Sequence, residues 1–297
     1  MIDKLEFLLA LARERHFARA AEACGVTQPT LSAGVKQLEE SFGVLLVHRG
    51  SRFRDFTPEG ERVLNWARRI VGDARAMRDE VQALKQGLTG RLRIAAVPTT
   101  LAMIERLTTP YRERHPNVQF TVSSRNSEEV LRLLENLEID AGVTYLDNEP
   151  LGRVTAVPLY RERYRLLISA DAPLGKRDKV TWAEAAQVPL CLLTPDMQNR
   201  RIIDHLVRGA GGDPQASLES DAMILLYAHV RTGRWATIMP AQLAATLGLT
   251  DVLRAIPIVK PEVSNTIGLV VPTREPMTPL TAALVAEARR VAPSLTD

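Results

Sequence analysis

An apolar heptad repeat after Thr57 restricts what this chain can fold into more than any other feature of its sequence. Thr57-Pro58-Glu59 supplies a helix N-cap, a proline in the first turn and an acid at the positive end of the helix dipole. A helix of about 30 residues spans ~45 Å, too long for a small domain to bury its apolar stripe. The sequence therefore predicts pairing with a second copy of this helix along the repeat Val63, Ala67, Ile70, Ala74, Met77, Val81, Leu84 and Leu88.

The residues before this long helix have the pattern of a helix-turn-helix. Apolar residues at helical spacing predict helices over 4–15, 17–24 and 28–42. Gly25 suits the tight turn before the third helix. Thr27 is a natural N-cap for that helix, whose first turn accommodates a proline. The sequence thus predicts two crossed helices of the helix-turn-helix type.

The third helix carries polar residues on faces that its core does not use. Gln28, Thr30, Ser32 and Lys36 offer an amide, two hydroxyls and an ammonium group, which can hydrogen-bond base edges and phosphates in a DNA major groove. On a lone helix, such residues are more often ordinary solvated positions. The preceding helix and glycine turn favour the DNA-binding interpretation.

The segment 43–56 is basic at its centre and apolar on both sides. His48, Arg49, Arg52 and Arg54 surround a Gly-Ser tip, so two short strands would form a wing that places arginines against phosphates or in the minor groove. Considered alone, the segment could equally be a solvated hairpin.

Residues 1–90 resemble the DNA-binding and linker region of LysR-type transcriptional regulators. One departure from the family pattern is Ala33-Gly34, where a basic or amide residue often follows the serine. The glycine there should also cost the helix up to ~1 kcal/mol relative to alanine. The resemblance rests on Phe17-Ala18-Arg19-Ala20-Ala21, Val26-Thr27-Gln28-Pro29-Thr30-Leu31-Ser32, Leu38-Glu39, Phe42-Gly43, Arg49 and Thr57-Pro58-Glu59-Gly60.

This resemblance implies a function and an assembly. It assigns recognition-helix contacts to Gln28, Pro29, Ser32 and Lys36, and wing contacts to Arg49 and Arg52. It also implies a tetramer of two linker-helix dimers, palindromic promoter DNA as the partner, and a small-molecule co-inducer in place of a resident cofactor.

The remaining two hundred residues alternate strands with helices, including a predicted helix over about 100–115 and predicted strands over 164–170 and 236–239. Such alternation predicts parallel pairing with right-handed crossovers, here as two α/β lobes between which the chain crosses twice. The resemblance implies the same effector domain, which is similar to periplasmic binding proteins. The expected organisation is a mainly α winged helix-turn-helix domain over 1–57, a linker helix over 58–89 and the two-lobed domain over 90–297.

Ligands of open α/β sheets bind beyond the carboxyl ends of strands, next to helix N-termini. Thr99 and Thr100 there combine hydroxyls with free backbone N–H groups, which suits a small anion such as a carboxylate. Plain helix capping is an equally weighted alternative for Thr99, Asn126 and Ser127. The rule selects Thr99, Thr100, Asn126, Ser127, Tyr145, Met197, Gln198 and Asn199 as effector-binding candidates.

Two stretches, 147–152 and 193–199, resemble regulators encoded beside formate dehydrogenase operons. That likeness suggests formate as the anion.

Composition excludes several other classes of protein. The 297 residues are 45% hydrophobic and 25% charged, and the net charge is only +3, so charge alone does not indicate nucleic acid. We expect a cytoplasmic protein without membrane spans, since no apolar stretch is long enough for one. The five histidines lack metal-ligand spacing, and no catalytic motif is present. We therefore expect that this protein is not an enzyme. Cys191, in a predicted buried strand, is a poor redox sensor.

Two alternatives remain at this stage. A two-lobed solute-binding protein would need no helix-turn-helix, and an α/β enzyme would need titratable groups gathered in a cleft.

Overall fold

The computed structural model describes residues 1–49, 53–249 and 251–295, which form two compact units. The first comprises Met1–Gly87, and the second holds most of the later residues. The expected fold class, a winged helix-turn-helix with a long helix followed by a two-lobed α/β domain, is confirmed. No helix of the described residues is long and apolar enough to cross a membrane.

The first unit is a small helical core with a two-stranded wing. Leu8, Leu11 and Leu31 are fully buried at its centre, on helices whose apolar residues recur at the spacing of one helix face. The wing strands pair antiparallel. The elements are α1 (Ile2–Glu14), α2 (Phe17–Ala23), α3 (Gln28–Phe42), β1 (Val47–Arg49), β2 (Phe53–Phe56) and α4 (Pro58–Gln86).

The first turn of α4 is fixed to the residues that enter the wing. The Thr57 N–H donates to the carbonyl oxygen of Leu46 at 3.0 Å, and the Thr57 hydroxyl donates to that of Leu45 at 2.6 Å. The same hydroxyl caps the helix by accepting from the Gly60 N–H at 2.9 Å. A Cβ on Gly60 would lie 2.0 Å from the Leu46 carbonyl oxygen. Glycine is therefore required where the helix approaches this backbone.

We expect Gly60→Ala to destabilise the first unit although alanine is the better helix former. The added methyl group cannot be accommodated without moving backbone, and overpacking of this kind costs about 1–3 kcal/mol, or roughly 4–24 °C in Tm for a unit of this size. Thermal unfolding followed by circular dichroism measures the effect. Arg62→Ala, at an exposed position two residues further along α4, is the matched control. A G60A variant as stable as the wild type would contradict the packing argument.

The second unit contains strands and helices in alternation. The sequence predicted fewer strands than the structure has, because the strands Val180–Thr181 and Leu253–Val259 were missed. The elements are β3 (Gly90–Ala96), α5 (Glu105–Arg114), β4 (Val118–Ser124), α6 (Ser127–Glu135), β5 (Ala141–Tyr145), β6 (Val154–Ser169), β7 (Val180–Thr181), α7 (Trp182–Ala185), β8 (Leu190–Leu193), α8 (Gln198–Gly209), β9 (Ala216–Ser220), α9 (Met223–Val230), β10 (Thr237–Pro240), α10 (Ala241–Thr246), β11 (Leu253–Val259), β12 (Ser264–Pro272) and α11 (Pro279–Leu295).

Two lobes share the long strand β6. The hydrogen-bonded strand order is β4-β3-β5-β12-β6-β11-β7, and β10 also pairs with β6. Strands β3, β4, β5 and β12 with the first part of β6 form the first lobe, in which β3 pairs parallel with both β4 and β5. The last part of β6 pairs with β10 and β11 in the second lobe, where β8 and β9 pair separately. The chain passes between lobes along β6 and again between β11 and β12.

Two sequence-based boundaries were wrong. The predicted strand 164–170 is only the end of β6, which begins at Val154. The predicted helix 100–115 is a 3-10 turn over Pro98–Met103 followed by α5. Both errors concern residues at the junction of the lobes, where tertiary pairing decides the backbone conformation.

Candidate DNA-binding and effector sites

Helix α3 packs one face against the core of the first unit and leaves another face exposed. Leu31, Val35 and Leu38 are fully buried, and the Thr27 side chain caps the helix by accepting from the Thr30 N–H at 3.4 Å. Gly25 has a φ of 67°, which is the left-handed conformation that glycine adopts without strain. The turn and cap therefore fix α3 so that one side remains open.

The predicted base-contacting residues lie on the open side. Gln28, Pro29, Thr30 and Lys36 are exposed, and Ser32 is half-buried. The Lys36 ammonium lies 3.6 Å from a carboxylate oxygen of Glu40, both exposed, a weak surface pair that a phosphate could replace. The arrangement suits insertion of α3 into a major groove.

Gly34 explains the departure from the family pattern in packing terms. A Cβ there would lie 2.7 Å from the ring of Phe7 on α1. The expectation that glycine merely weakens the helix is therefore incomplete, since its lack of a side chain allows α1 and α3 to pack closely.

The wing is fixed to α3 by a buried carboxylate that the sequence did not single out. Glu39 is only 6% exposed, and its Oε1 accepts from the Leu46 and Val47 N–H groups at 3.0 and 3.3 Å. His48 and Arg54 are exposed on the wing strands. The side chain of Arg49 and the whole of Arg52 lie outside the described residues, so their predicted contacts stay predictions.

Helix α4 uses two apolar faces. Leu64, Ala67 and Val71 are buried in the core of the first unit, and Val63 packs against that core, so the first part of the heptad serves the fold. About a third of a turn round the helix lies a second face, which we name the linker stripe: Trp66, Ile70, Met77 and Val81, all 41–63% exposed. Trp66 is not part of the heptad repeat and was missed. The side chain of Leu84 lies outside the description.

In the second unit, residues from both lobes meet at a buried tyrosine. Tyr145 ends β5 in the first lobe and is 1% exposed. Its hydroxyl lies 3.2 Å from that of Thr99 and accepts from the side-chain N–H of Asn199, in the second lobe, at 3.1 Å. The structure thus brings together three of the predicted effector-binding residues.

Two further hydrogen bonds connect the lobes. The Gln198 side chain donates to the Asp147 carbonyl oxygen at 3.1 Å. The Asn126 side chain donates to the Asp196 carboxylate at 3.0 Å while its Oδ1 accepts from the Glu129 N–H. Asn126 therefore caps α6 and also contacts the second lobe.

Arg201 forms an ion pair across the cleft. Its Nη2 lies 2.6 Å from Glu149 Oε1, and it also donates to the Ser127 hydroxyl at 3.4 Å. Arg200 is instead buried and paired with Asp204 and Glu219 of its own lobe, each at 2.7 Å. The sequence left the orientation of both arginines open.

Two predicted effector-binding residues point elsewhere. Met197 packs in the apolar core of the second lobe. The Thr100 N–H and hydroxyl both donate to the Val97 carbonyl oxygen, at 2.9 and 3.0 Å. The expectation of a free backbone N–H at Thr100 was wrong, because the 3-10 turn uses it.

Glu162 is the residue of the cleft that the sequence analysis missed. It is fully buried in β6, and the Tyr145 hydroxyl donates to its Oε1 at 2.5 Å. Burial raises the pKa of Glu162 to about 8, although hydrogen bonding with Tyr145, Tyr164 and Asn199 counteracts the rise. Strand alternation could have revealed it, since Tyr160, Glu162 and Tyr164 share one face of β6.

The described residues contain no group of three or more histidine, cysteine or acidic side chains placed to hold a metal ion. Cys191 is fully buried in β8, as predicted. Burial raises the pKa of its thiol to about 11.

Comparisons with known proteins cover nearly the whole chain. Residues 2–61 match the family of bacterial regulatory helix-turn-helix proteins of the lysR type, and residues 85–293 match the LysR substrate binding domain.

Individual relatives agree with these family matches. The chain is 29% identical over 270 residues to the DNA-binding transcriptional dual regulator OxyR of Escherichia coli K12, covering 91% of this chain and 88% of that protein. It is 28% identical to a hydrogen peroxide-inducible genes activator of Dickeya chrysanthemi, covering 91% of this chain and 88% of that protein.

A full-length OxyR variant from Pseudomonas aeruginosa, in which a cysteine is replaced by aspartate, has a similar structure. Its TM-score is 0.78 at 25% identity, over 98% of this chain and 99% of that one. The chain belongs to the LysR family of DNA-binding transcriptional regulators, which bind small-molecule effectors and form oligomers.

Proposed function

We propose that this protein binds a palindromic promoter site with two copies of its winged helix-turn-helix and that a small molecule bound between the lobes controls it. The observation that carries the DNA-binding part is the open face of α3, where exposed Gln28, Thr30 and Lys36 lie beside half-buried Ser32. These side chains provide the donors and acceptors that direct readout of base edges requires.

The linker stripe supports a dimer as the DNA-binding form. Four large apolar side chains exposed along one face of α4 match what a second copy would cover. A dimer places two recognition helices on one face of DNA, which accounts for a palindromic site. We propose that two such dimers assemble into a tetramer, as the family resemblance implies.

The contacts between the lobes support control by a ligand in the cleft. Asn199, Gln198 and Arg201 all reach from α8 to the first lobe. A ligand that enters there must exchange these contacts for its own, so it binds one arrangement of the lobes better than another. A difference in affinity of this kind shifts the populations of the two arrangements.

A small anion such as formate remains the effector that the sequence suggests. The relatives named above are described as peroxide-responsive regulators or OxyR, and none as a regulator of formate dehydrogenase. The charges of the cleft weigh against an anion, because the Arg201 guanidinium is already paired with Glu149 and Glu162 and Asp147 are acids.

Oxidation of a thiol is a second candidate for the signal, because one relative is described as a hydrogen peroxide-inducible genes activator. A protein thiol reacts with peroxide as an accessible thiolate. The chain has two cysteines; Cys191 is fully buried, and burial raises the pKa of both its thiol and that of Cys24. We therefore favour reversible ligand binding over thiol oxidation.

A mobility-shift titration with the DNA upstream of the chain's own gene tests the proposal. We expect saturable binding that competitor DNA of unrelated sequence displaces poorly. The logarithm of the affinity should fall with the logarithm of salt concentration by about 0.9 for each phosphate neutralised. A solute-binding protein or an enzyme on the same scaffold would give no shift, and that outcome would refute the DNA-binding proposal.

A further inference from the structure

We infer that the effector presents a cationic N–H group, such as an amidinium, guanidinium or primary ammonium, to the carboxyl group of Glu162. This inference rests on the proposed function, because it names the chemical class of ligand for the same cleft.

The first observation is an unpartnered carboxyl oxygen at the centre of the second unit. Glu162 is fully buried, and its Oε1 accepts from Tyr145. Among the described residues no donor meets its Oε2 in hydrogen-bonding geometry, although Tyr164 and Asn199 are near enough to lower the pKa of the carboxyl group. A buried polar atom without a partner costs about 1–3 kcal/mol, and more when charged. Such atoms are rare in folded proteins and call for an explanation. A ligand that donates to Oε2 would remove this cost.

The second observation concerns the hydrogen-bond donors around Glu162 and the acceptors to which they already donate. The single hydroxyl proton of Tyr145 is donated to Glu162, so Tyr145 can only accept further bonds. Asn199 donates to Tyr145, and Asn265 donates to the Tyr164 hydroxyl at 3.0 Å. The ionised form of Glu162 therefore offers its Oε2 as an acceptor to a ligand that brings its own N–H groups.

The third observation is the sign of the charges lining the cleft. Glu149 and Arg201 neutralise each other, and Asp196 is held ionised because hydrogen bonds with Thr194 and Asn126 lower its pKa. Asp147 accepts from the Thr266 N–H at 2.5 Å. Besides the Glu149–Arg201 pair, the acids Asp147 and Asp196 take part in the contacts of the cleft, and a nearby positive charge favours the ionised form of Glu162. These charges favour a cation over an anion.

The position of Glu162 also connects binding to the lobes. The Tyr145 hydroxyl of the first lobe donates to Glu162 and accepts from Asn199 of the second lobe. A cation that pairs with Glu162 would therefore act on the same hydrogen-bonded group. The same group that selects the ligand therefore stands beside the contact that holds the lobes together.

The experiment uses the full chain and three small probes of nearly the same shape. Acetamidinium, acetamide and acetate carry charges of +1, 0 and −1, and their dissociation constants are measured by NMR titration at equal ionic strength. We expect acetamidinium to bind about tenfold or more tightly than acetamide, as a charge-assisted hydrogen bond of about 1.5–3 kcal/mol implies, and acetate to bind most weakly.

Glu162→Gln removes the charge and keeps the shape. This variant should lose about tenfold or more of its acetamidinium affinity, and its acetamide affinity should change by less than about threefold. Glu262→Gln makes the same change in charge at an exposed position and should leave all three affinities unchanged. The order of the probes on the wild type is a separate test should E162Q fold poorly.

Several results would overturn the inference. These are tighter binding of acetate than of acetamidinium, an unchanged preference in E162Q, and undetectable acetamidinium binding at about 50 mM, where a four-atom ligand in a complementary site should be seen. None of these results bears on promoter binding. Conversely, loss of the mobility shift would refute the proposed DNA binding, and the ligand preference of the cleft would be unaffected.

Discussion

Replacing Met77 by glutamate is expected to separate the two chains of each linker-helix dimer, so that the assembly becomes smaller, and to weaken promoter binding by about a hundredfold or more. Met77 is 62% exposed in the middle of the linker stripe. In a twofold dimer each substitution occurs twice, so two carboxylates would enter one apolar interface and both would be desolvated. Two tethered DNA-binding domains gain about 10²–10⁴ in avidity over one, and the monomer forfeits this gain.

Analytical ultracentrifugation measures the oligomeric state, and fluorescence anisotropy with promoter DNA measures the affinity. Asn65→Glu is the matched control, since Asn65 is exposed on α4 and lies away from both the stripe and the packed face. That variant should keep the wild-type oligomeric state and nearly wild-type affinity. If M77E formed the same oligomer as N65E at the same concentrations, the stripe would not be the dimer interface.

The heptad repeat illustrates what the sequence could and could not predict. Periodicity identified α4 and an apolar stripe along it, because both follow from the geometry of one helix. Periodicity could not say which partner covers which residue. Ala67 packs into the core of its own unit, and Trp66 lies outside the repeat yet is 63% exposed on the linker stripe. Which residues of α4 pack in the core and which stay exposed depends on where α1 lies, and this tertiary packing cannot be read from the periodicity of one helix.

The recognition helix was predicted more completely because its signals are local. The N-cap, the proline of the first turn and the buried leucines all lie within a few residues of each other. The role of Gly34 was not local, since the ring of Phe7 on another helix explains it. A propensity scale therefore gives only the cost of that glycine, and the packing gives the reason for it.

The cleft was predicted in part. The rule for α/β sheets selected Thr99, Tyr145 and Asn199, whose side chains form one hydrogen-bonded group, and their contact with an effector stays a prediction. Glu162 escaped because it stands between Arg161 and Arg163, in a stretch that looks solvent-exposed by composition. Only the length of β6, which extends through both lobes, places this carboxyl group beside Tyr145.

Gln28→Ala combined with Ser32→Ala should reduce specific promoter binding by about a hundredfold and leave non-specific binding within about threefold. The two residues lie four apart on the open side of α3, and each good contact to a base edge is worth about 1–3 kcal/mol. Non-specific binding depends on phosphates, to which neither side chain brings a charge. The loss should therefore appear in the ratio of specific to non-specific affinity.

The same helix offers a control of identical chemistry. Gln37 and Ser41 are an exposed glutamine and serine at the same spacing, about half a turn round α3 from the first pair. Gln37→Ala with Ser41→Ala removes the same atoms from the C-terminal half of α3, away from the N-terminal turns that carry the predicted base contacts, so both affinities should stay close to wild type. Equal losses of specific and non-specific binding in the Gln28/Ser32 variant would mean that these residues only support the fold of α3. A loss confined to the Gln37/Ser41 variant would mean that the C-terminal half of α3 makes the base contacts instead.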